Sequence, residues 1–342
     1  MSGLLRDTVD FVLPASLEAH EPPEIRGHAR DEVKLMVASS SGITHAKFAD
    51  LAEHLDAGDV VVFNDSATLP AAVEGSRSNG EKVVVHFSTE LRTRQWMVEV
   101  RPAVNARGPA MGLQNGEIVS MTGGVVLVLD RARTHRLWEA RVDVDDVVTY
   151  LHHHGHPIRY SYVTNAYSLN FYDTVFGRVP GSAEMPSAAR PFTERVVLAL
   201  VAKGVVMAPV TLHTGVSSLE TGEVPYAERF AVPSATAALV NDARCRGSRV
   251  VAVGTTVTRA LESTVGSNGI EGRTGWTDLV LGPKRPARVV NGLITGWHAP
   301  GATHLALLQS VAGDALVATA YDEALAHRYL WHEFGDSCLL LP

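Results

Sequence analysis

The segment "VVAVGTTVTRALES" (250–263) predicts a strand, a tight turn and a helix in direct succession. Four apolar residues end at Gly254, and apolar residues then recur at the spacing of one helix face. Thr255 and Thr256 stand at the junction of the two elements. A helix N-terminus offers free backbone N–H groups, and in α/β sheets ligands bind at the carboxyl ends of strands. We therefore expect Gly254, Thr255 and Thr256 to form one wall of a binding site.

A purely structural role is an equally good interpretation of this segment. Thr256 is a suitable helix N-cap, and Arg259 and Glu262 stand three residues apart, which is the spacing of a surface ion pair. A nucleoside triphosphate site is disfavoured, because the segment lacks the glycine-rich phosphate-loop pattern and its lysine. The other strand ends are therefore needed to choose between a ligand site and a capped helix.

Helical and strand patterns alternate from about residue 145 to the C-terminus. This βαβα order predicts a mostly parallel sheet covered by helices. Thr193 and Gly204 mark the ends of one helix, and Ser234 and Gly247 those of another, with Ser234 as the expected N-cap. The remaining candidates in this part are helices at 145–154, 301–313 and 314–330, and strands at 205–213, 276–281, 288–298 and 334–342.

Short strand-like segments instead dominate from about residue 59 to 145, at 59–64, 81–87, 95–100, 117–121, 124–130 and 137–144. Each is rich in valine and bounded by Gly, Asn, Asp or Ser, and "TGG" (122–124) is a hairpin-like connection. We interpret this stretch as a small antiparallel β domain inserted into one α/β domain. The predicted boundaries are 1–66 and 146–342 for the main domain and 67–145 for the insertion.

Composition is that of an ordinary soluble globular protein. The 342 residues are 46% hydrophobic and 20% charged, and the formal net charge is −7. This charge argues against a uniformly basic nucleic-acid surface. Three short basic clusters, at 131–136, 244–249 and 282–288, are most simply interpreted as solvated surface.

No targeting or membrane segment is expected. The first 14 residues lack the apolar core of a signal peptide, and Lys203, Gly204 and Pro209 divide the longest apolar region into pieces shorter than the roughly 20 residues that span a bilayer. Cys245 and Cys338 form no CxxC pair, so we expect two buried free thiols in a reducing cytoplasm.

Polar residues end several of the predicted strands. His213 ends "VTLHTG", Trp297 and His298 follow "ITG", and Gly335 with Asp336 precedes the last strand. Convergence of two histidines and a carboxylate beside the GTT junction predicts an active site. The run "HHHGH" (152–156) lacks HxxxH or HExxH spacing, so we expect no metal there.

The GTT segment and the strand ends together resemble the S-adenosylmethionine:tRNA ribosyltransferase-isomerases of queuosine biosynthesis. "VAVGTTVTRALES" is similar to the family's Val-Gly-Thr-Thr-x-x-Arg-x-Leu-Glu motif. The similarity extends nearly from end to end. Its other segments are "DFVLPASLEAHEPPEIR" (10–26), "GDVVVFNDSATLPA" (58–71), "VPGSAEMPSAARPF" (179–192), "TLHTG" (211–215), "GWHAP" (296–300) and "FGDS" (334–337).

The resemblance implies an α/β barrel-like main domain with an inserted small β-barrel, in agreement with the predicted insertion. It also implies S-adenosylmethionine as a substrate and tRNA as a partner, although the net charge lends tRNA no support. We expect no metal and no membrane contact. The implied catalytic residues are His213, His298, Glu228 and Asp336. The implied substrate-binding residues are Ser187, Gly254, Thr255, Thr256, Arg259, Glu262, Trp297, Gly335 and Arg190.

Several positions depart from the family pattern, mostly at strand ends. The family's Asn-Thr-Arg is here Asp-Ser-Ala (65–67), and its Gly-Ala-Gly-Thr-Phe-x-Pro run is replaced by "GVSSLETGE" (215–223). Arg190 and Pro191 stand where the family has leucine and histidine. Tyr226 replaces a histidine and Gly296 an asparagine. These departures fall mostly on residues that would contact the second substrate, whereas the residues of the GTT and Gly-Asp motifs are better kept.

The implied chemistry needs a base and an acid. The sulfonium acidifies the adjacent 5′ carbon, so a positioned base can remove a proton, after which methionine and adenine depart. His213 and His298 are suited to these steps in either order, with Glu228 and Asp336 orienting them or holding ribose hydroxyls, and Arg259 pairing the methionine carboxylate.

Two alternative functions remain open. One is a divergent S-adenosylmethionine enzyme with a small-molecule acceptor, and the other is a non-catalytic protein that binds RNA or a nucleoside.

Overall fold

The computed structural model describes residues 9–103, 108–216 and 226–342. The expectation about a leader and the "GVSSLETGE" departure rest partly on residues outside these ranges. Numbered in chain order, the strands are β1 (Lys34–Ser39), β2 (Gly42–Lys47), β3 (Val60–Asn64), β4 (Ser66–Thr68), β5 (Ala72–Arg77), β6 (Lys82–Arg92), β7 (Gln95–Pro102), β8 (Ile118–Met121), β9 (Val126–Ala132), β10 (Leu137–Val142), β11 (Val179–Ser182), β12 (Val206–Leu212), β13 (Glu228–Val232), β14 (Val250–Val253), β15 (Val265–Gly266), β16 (Gly269–Ile270), β17 (Arg273–Thr277), β18 (Gly292–Gly296) and β19 (Ser337–Leu341). The α-helices are α1 (Val147–His154), α2 (Glu194–Lys203), α3 (Ser234–Cys245), α4 (Thr255–Glu262), α5 (Thr303–Ala312) and α6 (Asp314–Ala326).

Nine strands form the main sheet, in the order β17-β13-β12-β3-β14-β18-β19-β1-β2. The central four, β12, β3, β14 and β18, are parallel, as are β19 and β1. The other four pairs are antiparallel, so the sheet is mixed and the prediction of a mostly parallel sheet is wrong. One cause is that α5 and α6 both lie between β18 and β19 in sequence, and two successive helices bring the chain back to the end of the sheet where β18 stops, so that β19 runs antiparallel to β18.

Helices cover both faces of this sheet. Val60 and Val62 of β3 pack on the side of α3, α4, α5 and α6, and Val61 packs on the side of α2. Side chains alternate between the faces of a strand, so a strand buried on both faces is apolar throughout. None of the helices in the described ranges is both long and apolar enough to cross a bilayer.

The inserted part is a closed antiparallel barrel with the strand order β10-β7-β6-β5-β8-β9. Its interior includes Trp96 and Phe87, whose rings meet edge to face with centroids 5.6 Å apart. Every segment from 81 to 144 that the sequence predicts as a strand forms one, and 122–124 connects β8 to β9. The segment 59–64 instead lies in the main sheet as β3. The α/β fold with an inserted β-barrel is confirmed, whereas boundaries at 66 and 146 stay a prediction.

Helix ends follow the predicted chemistry closely, with local exceptions. Thr193 accepts a hydrogen bond from the N–H of Val196, and Gly204 adopts φ 91° at the end of α2. α3 begins at Ser234 with Pro233 as its N-cap, one residue earlier than expected. Cys245 ends α3 and is exposed, so only the buried Cys338 matches its prediction.

The predicted strand at 276–281 stops at Thr277. The carbonyl oxygens of Thr277 and Leu279 accept hydrogen bonds from the Arg259 guanidinium, at 3.1 Å each. The ladder ends at Thr277 because its partner Glu228 is the first residue of β13, and the Arg259 guanidinium holds the chain beyond that point.

A two-stranded parallel sheet, β4 with β11, carries a buried cluster around His213 beside the main sheet. The hydroxyl of Ser66 lies 2.8 Å from Nδ1 of His213 and 2.6 Å from the hydroxyl of Ser182. Gly181 leaves the room that this ring needs, because a Cβ there would lie 2.4 Å from Nδ1. The cluster therefore requires glycine at position 181.

We expect Gly181→Ala to lower the free energy of unfolding by about 1–3 kcal/mol, because the buried ring must move. Thermal unfolding of the full chain measures the effect. Gly275→Ala is the matched control, since its Cβ would meet Phe230 at an ordinary 3.7 Å. Equal midpoints for the two variants would contradict this account of Gly181.

Candidate active site

A cavity of about 260 Å³ lies at the carboxyl ends of β14 and β18. Its walls are the start of α4, the segment after β18, the segments 160–162 and 184–188, and the turn at 332–333. This is the edge where the sequence predicts a ligand site. Six predicted site residues line it: Ser187, Gly254, Thr255, Thr256, Trp297 and His298.

The GTT junction forms the wall at the start of α4. Gly254 has φ 90°, which favours glycine, and its missing side chain brings the backbone close to Ala188. α4 begins at Thr255, and Thr255 and Thr256 both line the cavity. The first N–H groups of a helix have no intrahelical acceptor. This wall therefore presents hydroxyl and backbone donors to a ligand.

Two stacked histidines line the wall after β18. The rings of His298 and His304 are nearly parallel, with centroids 4.5 Å apart. The Thr295 hydroxyl donates to the carbonyl of Gly296 at 3.1 Å and therefore accepts from Nε2 of His298, also at 3.1 Å. This assignment places the His298 proton on Nε2 and leaves Nδ1 as an acceptor.

Burial keeps both of these histidines neutral at physiological pH. It lowers the pKa of His298 well below the usual 6.5, and the neighbouring His304 contributes. The pKa of His304 falls to about 4, because of burial first and the positive charge of Arg259 second. Neutral imidazoles accept protons and tolerate a cationic ligand nearby.

Two carboxyl groups, those of Glu184 and Glu333, also line the cavity. Burial, with the negative charge of Glu184 as a second cause, raises the pKa of Glu333 to about 8. Its Oε1 is buried and has no hydrogen-bond partner within the described residues. The hydroxyl of Tyr160 donates to Glu184. Glu333 therefore carries a proton at neutral pH.

Aromatic rings complete the cavity. The His332 ring stacks on Tyr162 with centroids 4.1 Å apart, and Tyr160 stacks on the same tyrosine at 5.7 Å. Trp297 is buried and meets Tyr321 edge to face at 5.0 Å. Aromatic faces of this kind attract cations.

Arg259 and Glu228 do not line the cavity, and they form a buried ion pair with each other. Glu228 also accepts a hydrogen bond from the N–H of Gly215 at 3.0 Å. Arg259 is 8% exposed and additionally binds two carbonyls at and just beyond the end of β17. The alternative of an Arg259–Glu262 surface pair is therefore wrong, because both residues are buried and have other partners.

Glu262 binds backbone outside the cavity. Its carboxylate accepts hydrogen bonds from the N–H groups of Arg288, Val289 and Val290, at 2.8 to 3.0 Å. A carboxylate that accepts three backbone N–H groups holds a segment in place. The geometry gives Glu262 a structural function where the resemblance implies substrate binding.

Gly335 and Asp336 hold the turn that brings His332 and Glu333 to the cavity. Asp336 accepts hydrogen bonds from the N–H of Lys34 at 2.8 Å and of Leu330 at 2.7 Å. A Cβ at Gly335 would lie 2.3 Å from the carbonyl oxygen of Leu330. These two residues lie behind the cavity wall, so we assign them a positioning role in place of direct catalysis or binding.

Arg190 and His213 also lie outside the cavity lining. Arg190 is 2% exposed, pairs with Glu24 at 2.7 Å and donates to the carbonyl of Phe171. Burial lowers the pKa of His213 to about 4, with Arg229 as the second cause. Of the two predicted catalytic histidines, only His298 reaches the cavity.

Sequence reasoning missed six titratable side chains that line the cavity: Tyr160, Tyr162, Glu184, His304, His332 and Glu333. Most of them lie in loops, where no periodicity marks them. His332 and Glu333 directly precede the Gly-Asp motif, which was the one available signal.

Comparison with known proteins identifies the family. A model of the family described as "queuosine biosynthesis protein" matches residues 6–340. A protein of Rubrobacter xylanophilus named S-adenosylmethionine:tRNA ribosyltransferase-isomerase is 37% identical over 346 residues, which cover 98% of this chain and 97% of that protein. One of Gloeobacter violaceus with the same name is 33% identical over 348 residues, covering 99% and 96%.

A solved structure agrees with these matches. The crystal structure of S-adenosylmethionine tRNA ribosyltransferase from Thermotoga maritima aligns with 97% of this chain and 99% of its own, at 27% identity and a TM-score of 0.55. Similarity therefore extends over both the main sheet and the inserted barrel. The chain belongs to the queuosine biosynthesis protein family.

Proposed function

We propose that this chain is an S-adenosylmethionine:tRNA ribosyltransferase-isomerase of the cytoplasm. It transfers and rearranges the ribosyl group of S-adenosylmethionine onto 7-aminomethyl-7-deazaguanine in tRNA, forming epoxyqueuosine and releasing adenine and methionine. The observation that carries the proposal is the cavity, where the GTT wall, a neutral histidine and a protonated carboxyl group meet in a chain similar over nearly its full length to enzymes of that name.

The charge of the cavity suits a sulfonium ion. Its histidines are neutral, Glu333 is protonated, and the rings of Tyr160 and Tyr162 border the same space. Glu184 supplies a carboxylate. A cation loses hydration water on entering this cavity. The carboxylate of Glu184 and the nearby tyrosine rings offset the free energy of that lost hydration.

His298 is the proposed base. It is neutral, the Thr295 contacts assign its proton to Nε2, and among the described residues no hydrogen bond is made to Nδ1, which can therefore accept a proton. The positive sulfur acidifies the adjacent 5′ carbon, which allows a weak but well-oriented base to remove a proton there. The electron pair left on the 5′ carbon forms a double bond to C4′ as the ring C4′–O4′ bond breaks, and the freed oxygen becomes a carbonyl at C1′ as the bond to adenine breaks. The acceptor amine then adds to C4′, the 5′ carbon bonds to C1′, and the resulting alkoxide closes the epoxide as methionine leaves.

Glu333 is the proposed acid. Adenine is a poor leaving group as an anion, and it departs readily when a proton is delivered to a ring nitrogen. Glu333 holds that proton at neutral pH because burial raises its pKa. Ser187, Thr255 and Thr256, with the N-terminus of α4, hold polar groups of the nucleoside or of methionine. The guanidinium of Arg259 is already bound to Glu228 and two carbonyls. We therefore propose that the N-terminus of α4, and not Arg259, binds the methionine carboxylate.

A basic surface supports tRNA as the acceptor despite the negative net charge. Arg244 and Arg288 come from two basic clusters that are distant in sequence, and they line one pocket of about 280 Å³ with the β15–β16 hairpin. Both side chains are exposed. Two guanidinium groups beside a glycine-rich hairpin suit a phosphate group.

The decisive assay mixes the enzyme with S-adenosylmethionine and measures adenine and methionine release, with and without tRNA bearing 7-aminomethyl-7-deazaguanine. Release that depends on this tRNA supports the proposal. Turnover with a small molecule and no RNA favours the divergent-enzyme alternative. Binding of S-adenosylmethionine with no turnover favours a non-catalytic protein.

We expect Glu333→Gln to reduce the rate of adenine release by about 10²–10⁴-fold, the usual contribution of a general acid. The wild-type rate should fall above about pH 8, where Glu333 loses its proton. The variant should lack this decline. Glu53→Gln, at an exposed position, is the control.

The same variant changes the pH dependence of stability. The folded pKa of Glu333 lies above its usual 4.5, so the folded chain binds more protons and the free energy of unfolding decreases from about pH 4.5 to about pH 8. Glutamine should remove this part of the decrease. A variant with wild-type rate and wild-type pH profiles would contradict the assigned role.

His298→Asn should slow release by at least 10²-fold while S-adenosylmethionine still binds, because the base is lost and the cavity is kept. Single-turnover kinetics and calorimetry measure the two quantities separately. His153→Ala, an exposed residue of α1, should leave both unchanged. Normal turnover in His298→Asn would exclude this histidine as the base.

Replacing Arg244 and Arg288 together by alanine should weaken tRNA binding and reduce its salt dependence by about one unit of slope per lost phosphate contact. S-adenosylmethionine binding should stay unchanged. The control pair is Arg131→Ala with Arg133→Ala, from the basic cluster on the barrel. An equal loss in both double variants would contradict a specific phosphate contact at the β15–β16 hairpin.

A further inference from the structure

Three potential metal ligands meet on the surface at the edge of the main sheet. His45 lies on the edge strand β2, Glu323 lies in the last turn of α6, and His327 caps that helix. One ligand atom from each lies within 4.8 Å of the other two. None of them lines the candidate active site. We call these three residues the His-Glu-His cluster.

The geometry of the cluster is already oriented. The rings of His45 and His327 face each other with centroids 4.2 Å apart. Nδ1 of His327 lies 2.9 Å from a carboxylate oxygen of Glu323. The hydroxyl of Tyr329 lies 2.8 Å from Nδ1 of His45, which fixes this ring and leaves Nε2 available. A partner on the second ring nitrogen is what metal-binding histidines usually have.

The donor set indicates the class of ion. Two imidazoles and one carboxylate suit Zn²⁺ and similar divalent transition metals, whereas Ca²⁺ and Mg²⁺ prefer oxygen ligands. With metal–nitrogen bonds of roughly 2.0–2.1 Å, tetrahedral ligand atoms stand about 3.4 Å apart. Ligand atoms that are up to 4.8 Å apart therefore need to approach by at most about 1.4 Å, which rotation of the side chains permits.

The surrounding charges also permit a cation. The ammonium of Lys34 is the opposing charge, and it is held by the carbonyls of His327 and Arg328 at 3.0 and 3.1 Å. Glu323 supplies a negative charge, and the carbonyl end of α6 points toward the cluster. The carboxylate and the helix terminus thus offset Lys34.

We propose that the His-Glu-His cluster is a binding site for a divalent transition metal ion of the zinc class, which ties the edge strand β2 to the end of α6. Water completes the coordination, because both histidines are exposed. The site is independent of the proposed transferase activity. Its consequence is local: it fixes a sheet edge that otherwise has neighbours on one side only.

The test uses the full chain without a histidine tag, treated with a chelator and dialysed. Calorimetry with ZnCl₂ and the visible spectrum with Co²⁺ measure binding, and thermal unfolding with and without Zn²⁺ measures linked stabilisation. We expect one site tighter than any other, with a tetrahedral Co²⁺ spectrum. His45→Ala, Glu323→Gln and His327→Ala should each weaken it at least 10-fold and abolish the Zn²⁺-dependent rise in Tm.

The histidine run at 152–156 supplies the matched control. His152→Ala and His153→Ala alter exposed histidines outside the cluster, and we expect them to leave the tight site unchanged. Equal zinc affinity in wild type and His45→Ala would overturn the proposal, as would loss of the tight site in the His152→Ala and His153→Ala variants. Unaltered unfolding of the metal-free variants separates a lost ligand from a lost fold.

Discussion

The buried ion pair between Arg259 and Glu228 is the interaction on which the rest of the active-site end depends. It joins α4 to β13, and its guanidinium also binds the carbonyls of Thr277, the last residue of β17, and of Leu279. A buried arginine must be fully paired, and removing one partner is costly because the other charge is stranded. The pair therefore holds α4 against β13, and with it the GTT wall at the start of that helix. Its positive charge also reaches His304 and helps to keep that ring neutral.

Other residues of the sequence motifs also hold the backbone in place and do not line the cavity. Glu262 and Asp336 use their carboxylates on backbone N–H groups, and neither lines the cavity. Asp336 closes the turn that presents His332 and Glu333, and His332 there adopts a left-handed φ of 74°. The motif residues that stand out in the sequence thus mainly position other residues, such as His332 and Glu333, that line the cavity.

The fold was largely predictable from the sequence, because the helices and strands are determined by local signals. Apolar periodicity indicates the elements, and residues such as Thr193 and Gly204 mark the ends of a helix. The mixed sheet was not predictable, since the direction of β19 depends on how α5 and α6, which connect β18 to β19, pack on the sheet. Five residues of the cavity were predicted because strand ends converge at one edge of an α/β sheet, and Ser187 was predicted from the resemblance to the family motif. Glu333 was not, because its protonation depends on burial beside Glu184, and both come from loops.

The charge arrangement of the cavity has a consequence for the order of events in the proposed reaction. The carboxylate of Glu184 and the tyrosine rings attract the substrate through its positive sulfur. The neutral histidines of the cavity add no charge that would oppose this attraction. When the carbon–sulfur bond breaks, methionine leaves with an uncharged thioether and this attraction disappears. The cavity therefore holds the reactant more tightly than the spent thioether, so that breaking the bond itself opens the way for methionine to leave while the sugar stays.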